Sequence, residues 1–457
     1  MILAAGKGTR MKSRNAKVLQ PLCGREMIHY PVETALALAP RKTIVVVGHD
    51  AEKVRESLKG YPLEFVLQPE QKGTGHAVMQ ALPVLTDFRG SVVVYYGDAP
   101  LLGPQDVQSL ISERERTGAA LAFLTANLER PAGYGRIIRK DSRIQRIVEE
   151  KDATPEEKKI TEVNPGIYCF EAEALRAALA QLGNKNLQGE YYLTDTMEIL
   201  LRMGRKVVPV LSDQSENLLG VNTRAELAGT AVKIWLRRAD ALMAQGVTIH
   251  RPDSVCISHE AEVGTDAVLY PNVILEGKTL IGERAVVHSN SRIVNSRIGP
   301  DAEILDCCLI TDSAVGAGTT VGPFAHLRPG AEIGEHCRIG NFVEVKNSRV
   351  GDQSKAAHLT YLGDAQVGRN VNIGAGTITC NYDGFTKSPT HIGDGAFIGS
   401  DSQLIAPVKI GERAYIAAGS SITEDVPPEA LGIARARQMN KEGWVRRRGG
   451  KKGKEGE

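Results

Sequence analysis

Two sets of residues in this chain have types and spacings that could do chemistry. The first begins with Leu3-Ala4-Ala5-Gly6-Lys7-Gly8-Thr9-Arg10-Met11, a glycine-rich loop after a very short apolar run, with Lys17 following. Outward backbone amides beside two cations, Arg10 and Lys17, suit a nucleoside triphosphate attacked at its α-phosphorus, because the transition state gathers negative charge on phosphate oxygens. The loop is not a P-loop, which needs a glycine four residues before its Gly-Lys. Nor is it a dinucleotide fingerprint, since Met11 stands where the third glycine would be. On its own such a loop is only a tight turn. Its company is Gln68-Pro69-Glu70-Gln71-Lys72-Gly73-Thr74-Gly75-His76-Ala77, where a glutamine offers the donor and acceptor that match a pyrimidine edge. Then Tyr95-Tyr96-Gly97-Asp98-Ala99-Pro100 ends an apolar strand on a carboxylate, a natural Mg²⁺ ligand if phosphates lie beside it. Alone, that aspartate would simply start a turn.

The second set lies beyond residue 320. Arg328, in Phe324-Ala325-His326-Leu327-Arg328-Pro329-Gly330, and Lys346, in Asn341-Phe342-Val343-Glu344-Val345-Lys346, are cations on an aliphatic background and suit a sugar phosphate. His358 interrupts the aliphatic pattern, and an imidazole titrates near working pH, as proton transfer requires. The ten histidines have no metal-ligand spacing, which argues against zinc.

The elements that must carry these residues differ between the halves. Over residues 1–222, apolar runs at 44–47, 63–67 and 91–96 alternate with amphipathic segments at 51–59, 74–86 and 104–117. That alternation predicts an α/β, Rossmann-like domain with a mostly parallel sheet and ligands beyond the carboxyl ends of its strands. Residues 223–246 predict a connector helix, opened by a Thr223/Glu226 capping box. From 247 onward an aliphatic residue followed by glycine recurs at multiples of about six, as in Val263-Gly264, Ile281-Gly282, Ile298-Gly299 and Val315-Gly316. No helix has that period. A parallel β-helix of three-faced, eighteen-residue coils does, with the aliphatic residue inward and the glycine expected to supply a positive φ at the corner. The period leaves the handedness open. Between Gly374 and Gly393 the repeat is broken by Cys380-Asn381-Tyr382-Asp383-Gly384-Phe385-Thr386-Lys387, and an inserted loop is where binding residues gather.

Composition excludes several classes. In 457 residues the net charge is +2, so no global field points to nucleic acid, and no apolar run approaches membrane-spanning length. Seven cysteines without a CxxC pair predict reduced thiols in a cytoplasmic protein. A basic stretch from Arg446 to Lys452 reads as a disordered tail.

Together these motifs resemble a nucleotidylyltransferase, and with the hexapeptide period they resemble the family of bacterial bifunctional N-acetylglucosamine-1-phosphate uridylyltransferases and glucosamine-1-phosphate acetyltransferases. The resemblance covers nearly the whole chain and implies that the β-helix is left-handed. It implies that Leu3, Ala4, Ala5 and Gly6 hold UTP, with Arg10 and Lys17 on phosphate, and that Gln68, Gly73 and Thr74 read uracil. Tyr96 and Gly97 would line the pocket beside Asp98. Gly135, Glu149 and Asn164 would hold the sugar, and Asn222 would join Asp98 on Mg²⁺. In the second half, residues 247–457, it makes His358 the general base, with Glu344 as its orienting partner. Arg328, Lys346, Tyr361 and Asn372 would contact glucosamine-1-phosphate, and Ala375, Asn381, Tyr382, Ser400, Ala418 and Arg435 acetyl-coenzyme A. It further implies a homotrimer with acetyl-transfer sites between subunits, and neither nucleic acid nor membrane insertion.

Three departures from the family pattern touch the first site: the chain begins inside its first strand at Met1, Ala16 stands where proline usually precedes the lysine, and Pro165 replaces a small hydroxyl residue. Two rivals are a single-activity nucleotidylyltransferase with a solenoid used for assembly, and a non-catalytic subunit of a translation-factor exchange complex. The first has no use for His358 or the Asn381-Tyr382 segment, and the second no need of Lys17, Asp98 and Asn222 together.

Overall fold

The computed structural model describes residues 1–141 and 143–449, so the end of the basic stretch, residues 450–452, lies outside the described residues. It divides into two compact units, Met1–Ile234 and Trp235–Glu457.

In the first unit the apolar runs form strands Ile44–Val47, Glu64–Leu67 and Ser91–Tyr96, joined by the short strand Ile2–Ala4. These four are parallel, in the order Glu64–Leu67, Ile44–Val47, Ile2–Ala4, Ser91–Tyr96. While the edge strand Glu64–Leu67 is partly exposed, the central strands are buried from both sides: Ile44 and Val46 pack into one apolar cluster, Val45 and Val47 into another. That is why the strands read as unbroken apolar runs rather than alternating ones.

Much of the rest of the sheet departs from the parallel expectation, although Val207–Leu211 pairs parallel with Leu121–Asn127. Strand Tyr168–Glu171 runs antiparallel to Ser91–Tyr96, and Glu162–Asn164, Gly135–Lys140 and Arg143–Val148 extend the sheet antiparallel as well. For the last pair the cause is connection length: the turn at Asp141, with φ of 48°, is too short for the crossover that a parallel pair needs.

A helix spans Arg224–Met243, and its first turn carries the capping box: Glu226 N–H donates to Thr223 Oγ1 at 3.2 Å while Thr223 N–H donates to Glu226 Oε2 at 3.2 Å.

The second unit is a parallel β-helix. Val268 pairs with Val286, Val286 with Glu303 and Glu303 with Thr320, so each coil spends three hexads of chain or one position fewer. Leu269, Val287, Ile304 and Val321 stack inside, each wholly buried and each contributing about 1.5–3 kcal/mol by leaving water.

The corner glycines have a different cause from the one their sequence suggests. A Cβ on Gly282 would lie 2.5 Å from Pro300 N, and one on Gly299 would lie 2.7 Å from Ala317 N. Glycine is needed there because backbones of successive coils approach closely. The positive φ falls two residues later, on Arg284 (56°) and Asp301 (57°).

Across the broken repeat the pairing jumps. Arg349 pairs with Gln366 at the ordinary coil spacing. Gln366 then pairs with His391, across a longer stretch that contains the insertion, and His391 with Lys409 at the ordinary spacing again. The ladder resumes in register after the insertion.

Candidate active sites

At the carboxyl ends of the parallel strands lies a cleft of about 410 Å³. It is lined by Leu3, Ala4, Ala5, Gly6, Arg10, Lys17, Gln68, Gly73, Thr74, Tyr96, Asp98, Gly135, Glu149, Asn164 and Asn222. Of the residues expected there, Gly97 stands behind the wall: its N–H donates to Leu3 O at 2.9 Å, and a Cβ would meet Ile28 at 2.7 Å. Pro165, noted as a departure, lines the cleft too, and so do Val18, Gln71, Ala77, Gly133, Tyr134, Glu190 and Gly220, which were not singled out. Tyr134 directly precedes the expected Gly135, whereas Glu190 sits in a segment with no motif at all.

The charged centre of the cleft is built from three distant stretches. Lys17 Nζ pairs with Asp98 Oδ2 and donates to Asn222 Oδ1 at 3.0 Å, and Arg10 donates to the same Asn222 oxygen at 2.8 Å. Val221 N–H on Asp98 O at 2.8 Å ties the last stretch to the strand end. Asp98 Oδ1 is buried and has no hydrogen-bond partner among the described residues. An orphaned carboxylate oxygen beside an amide oxygen is a donor set that suits a hard divalent cation. Among the described residues no three His, Cys, Asp or Glu side chains gather to cage a metal, so further ligands would have to come from phosphate and water.

Ala16 changes the loop before Lys17. Its N–H, which proline would lack, donates to Asp50 Oδ2 at 2.8 Å.

On the wall that carries Gly135, Glu149 and Asn164 the polar atoms are largely committed. Asn164 donates to Tyr168 Oη at 2.6 Å and accepts from Gly166 N–H at 3.2 Å. Gly166, with φ of 87°, lies so close to the Tyr96 ring that a Cβ would overlap it. Arg136, 1 % exposed, is held by Glu150 at 2.8 Å, and Glu150 also accepts from Gly133 N–H at 3.1 Å. That pair, buried on its arginine side, clamps the loop in front of it.

Glu149 accepts the Thr194 hydroxyl at 2.9 Å. Burial, and then the neighbouring Asp195, Asp152 and Glu190 carboxylates, push its pKa above the ordinary value of 4.5. The folded state therefore holds this proton at a pH where the unfolded chain has lost it, and the group's contribution to stability falls as pH rises above that ordinary value. Glu149→Gln is accordingly expected to raise the melting temperature near pH 8 and to leave it unchanged near pH 4. Thermal denaturation at both pH values checks this.

In the β-helix the second set falls at three places. Arg328 donates to Glu344 at 2.7 Å. Lys346, paired in register with Gly363, has its pKa pulled down by the facing Lys387 ammonium and by Arg328. Lys387 comes from the inserted loop and was not singled out in the sequence; no repeat there indicates where it lands. Asn381, from the same loop, donates to the Asp364 carboxylate. Tyr382 is exposed, its hydroxyl donating to Gly384 O at 2.6 Å.

His358 stands opposite Asn341 in the paired strands Arg338–Lys346 and Lys355–Gly363, its Nδ1 2.8 Å from Asn341 Oδ1. This corrects the expected Glu344 partner: Glu344 pairs in register with Tyr361 and is taken by Arg328. An amide oxygen only accepts, so Nδ1 carries the proton and Nε2 is left with its lone pair. Asn372 pairs with Lys355 one coil earlier.

Ala375, Ser400 and Ala418 follow the aligned residues Ile373, Ile398 and Ile416 and so share one corner of three successive coils. Arg435 reaches that corner by donating to Ala418 O at 2.7 Å.

Known proteins carry the same layout. A model of MobA-like NTP transferase domains matches residues 1–198, and the bacterial transferase hexapeptide model (six repeats) matches residues 312–347 and 389–424, which makes the β-helix of the left-handed kind. A relative from Shouchella clausii, bifunctional protein GlmU, is 47 % identical over 448 residues, covering 98 % of each chain. Proteins of the same name from Carboxydothermus hydrogenoformans (48 %, covering 98 % of this chain and 99 % of the relative) and Listeria welshimeri (46 %, covering 98 % of each) are similar along their whole length too. With two sites built from different chemistry on one chain, and relatives this similar from end to end, the chain belongs to the GlmU family of bifunctional proteins.

Proposed function

We propose that the chain catalyses two successive reactions of UDP-N-acetylglucosamine synthesis. The unit beyond the connector, residues 247–457, transfers acetyl from acetyl-coenzyme A to glucosamine-1-phosphate. Residues 1–222 then transfer uridylyl from UTP to N-acetylglucosamine-1-phosphate and release pyrophosphate. Residues 223–246 join the two. The observation that carries this reading is the convergence of Lys17, Asp98 and Asn222, with one Asp98 oxygen left without a partner among the described residues.

In the uridylyl site a sugar-phosphate oxygen attacks the α-phosphorus of UTP and pyrophosphate leaves in line, so no side-chain nucleophile is needed. Arg10 and Lys17, already aimed at one point by Asn222, meet the charge that builds on the phosphate oxygens. Asp98 and Asn222 would hold Mg²⁺, which when bound polarises and neutralises phosphate oxygens. Gln68 faces uracil, and Glu149 accepts from sugar hydroxyls.

In the acetyl site the glucosamine nitrogen attacks the thioester carbonyl carbon, the C–S bond breaks, and coenzyme A leaves. The nitrogen's proton passes to His358 Nε2, the atom that Asn341 leaves free. The Arg328, Lys346 and Lys387 cations take the sugar's phosphate. Asn381, Tyr382 and the Ala375, Ser400, Ala418 corner with Arg435 take the coenzyme, and Tyr361 and Asn372 the sugar.

The chain works as a homotrimer in the cytoplasm. In support, Phe324, Phe342 and Leu359, corner residues of successive coils, are 51, 55 and 61 % exposed, an apolar column that a second copy would cover. Buried thiols at Cys169, Cys308 and Cys337 fit a reducing compartment. No helix among the described residues is long and apolar enough to cross a membrane.

Purified protein is expected to release free thiol from acetyl-coenzyme A with glucosamine-1-phosphate, and pyrophosphate from UTP with Mg²⁺ and N-acetylglucosamine-1-phosphate. Release of neither overturns the proposal.

A further inference from the structure

Behind Gln68 runs a half-buried polar chain whose other members have no part in the chemistry described so far. Gln68, 3 % exposed, donates through Nε2 to Gly73 O at 3.1 Å, and the same nitrogen lies 3.1 Å from His76 Nδ1. On the far side of the ring, His76 Nε2 lies 3.0 Å from the Gln80 side-chain amide. A neutral imidazole has one donor and one acceptor, so amide nitrogens cannot face both of its sides. Gln68 is fixed by the Gly73 carbonyl, which accepts only. His76 Nδ1 must therefore accept, Nε2 must carry the proton, and Gln80 must turn its oxygen to the ring.

Both hydrogens of the Gln68 amide are then used inside the protein. Its oxygen is not: no described residue donates to Gln68 Oε1, and Gln68 lines the cleft.

We infer that His76 is a positioning residue that sets nucleobase specificity by locking the Gln68 amide with its oxygen toward the base. The inference rests on the UTP reading of this cleft. A fixed acceptor meets the N3–H of uracil. At the same position cytosine presents a bare N3, also an acceptor, and two lone pairs would face each other. Without the imidazole acceptor only the Gly73 carbonyl holds the amide, so turning it to offer N–H to cytosine forfeits one internal hydrogen bond instead of two. A buried polar group left unpaired in the wrong complex is the strongest form of discrimination a binding site has.

The test compares kcat/KM for pyrophosphate release with UTP and with CTP. His76→Leu and His76→Phe remove the acceptor, the second keeping a ring in the space beside Tyr191. Each is expected to lower the UTP-to-CTP ratio at least about tenfold. His76→Asn places an amide oxygen where Nδ1 stood and is expected to restore the ratio. Gln80→Leu, on the partly exposed helix Thr74–Gln80, releases the ring to its other tautomer and is expected to shift the ratio the same way as loss of the ring. Residual turnover of UTP and the thermal melt of the same preparations report that the first unit is folded. An unchanged ratio in Gln80→Leu, or in either acceptor-less variant that folds, overturns the inference. Failure of the unaltered protein to use UTP at all overturns the functional reading instead.

Discussion

Asp98→Ala is expected to lower pyrophosphate release on the order of 10³-fold, the scale of removing a preorganised group from developing phosphate charge, while thiol release stays unchanged. Asp98 does two things at once. Its Oδ2 neutralises Lys17, and its Oδ1, buried and unpartnered, is the oxygen a divalent cation would take. Removing the carboxylate deletes the cation's ligand and frees Lys17 from its fixed place beside Asn222 Oδ1. Asp98→Asn separates these effects, since it keeps the shape and one oxygen but loses the charge. It is expected to retain more activity than alanine at saturating Mg²⁺ and to need more of the metal to reach it. Steady-state pyrophosphate release against Mg²⁺ concentration, with thiol release from the same sample, decides the matter. A normal Mg²⁺ requirement in Asp98→Ala would remove Asp98 from the metal.

His358→Ala is expected to do the reverse, lowering thiol release about 10²–10⁴-fold with pyrophosphate release intact. A base is needed because the attacking amine must shed a proton as the C–N bond forms. Asn341 fixes the tautomer, so Asn341→Ala, which leaves the imidazole in place but unoriented, is expected to cost less than loss of the ring. Rate constants from single-turnover thiol release check both. Equal losses in the two reactions, in either variant, would point to a folding defect and against the assigned role.

Much of this was legible in the chain, and the misses share a physical cause. The aliphatic-glycine period located one recurring corner of the β-helix because it reports which residues must be inside; corners such as Asn272 and Asn290 carry no glycine. It did not reveal why glycine is there, since a close approach between coils and a positive φ leave the same letter in the sequence. The partner of His358 was misjudged although the spacing that identifies it was available. Asn341 stands one coil length before His358, and so directly beneath it, whereas Glu344 falls short of a full coil and lies under Tyr361 instead. Lys387 was beyond reach, because inside the insertion no period relates position to place. In the first unit the cleft residues were legible as motifs. The antiparallel hairpin was not, since Gly135–Lys140 and Arg143–Val148 alternate too weakly to announce their direction. Glu190 shows the limit plainly: it reaches the cleft only through the fold.

The resumption of pairing at His391 has a consequence for how such a molecule can change. Because the rungs on either side stay aligned, the segment that leaves and re-enters the stack behaves like a socketed part. Its length and letters can be exchanged without disturbing the column above or below. Diversification of acceptor chemistry in this architecture is therefore expected to be concentrated in such excursions, while the rungs stay the same.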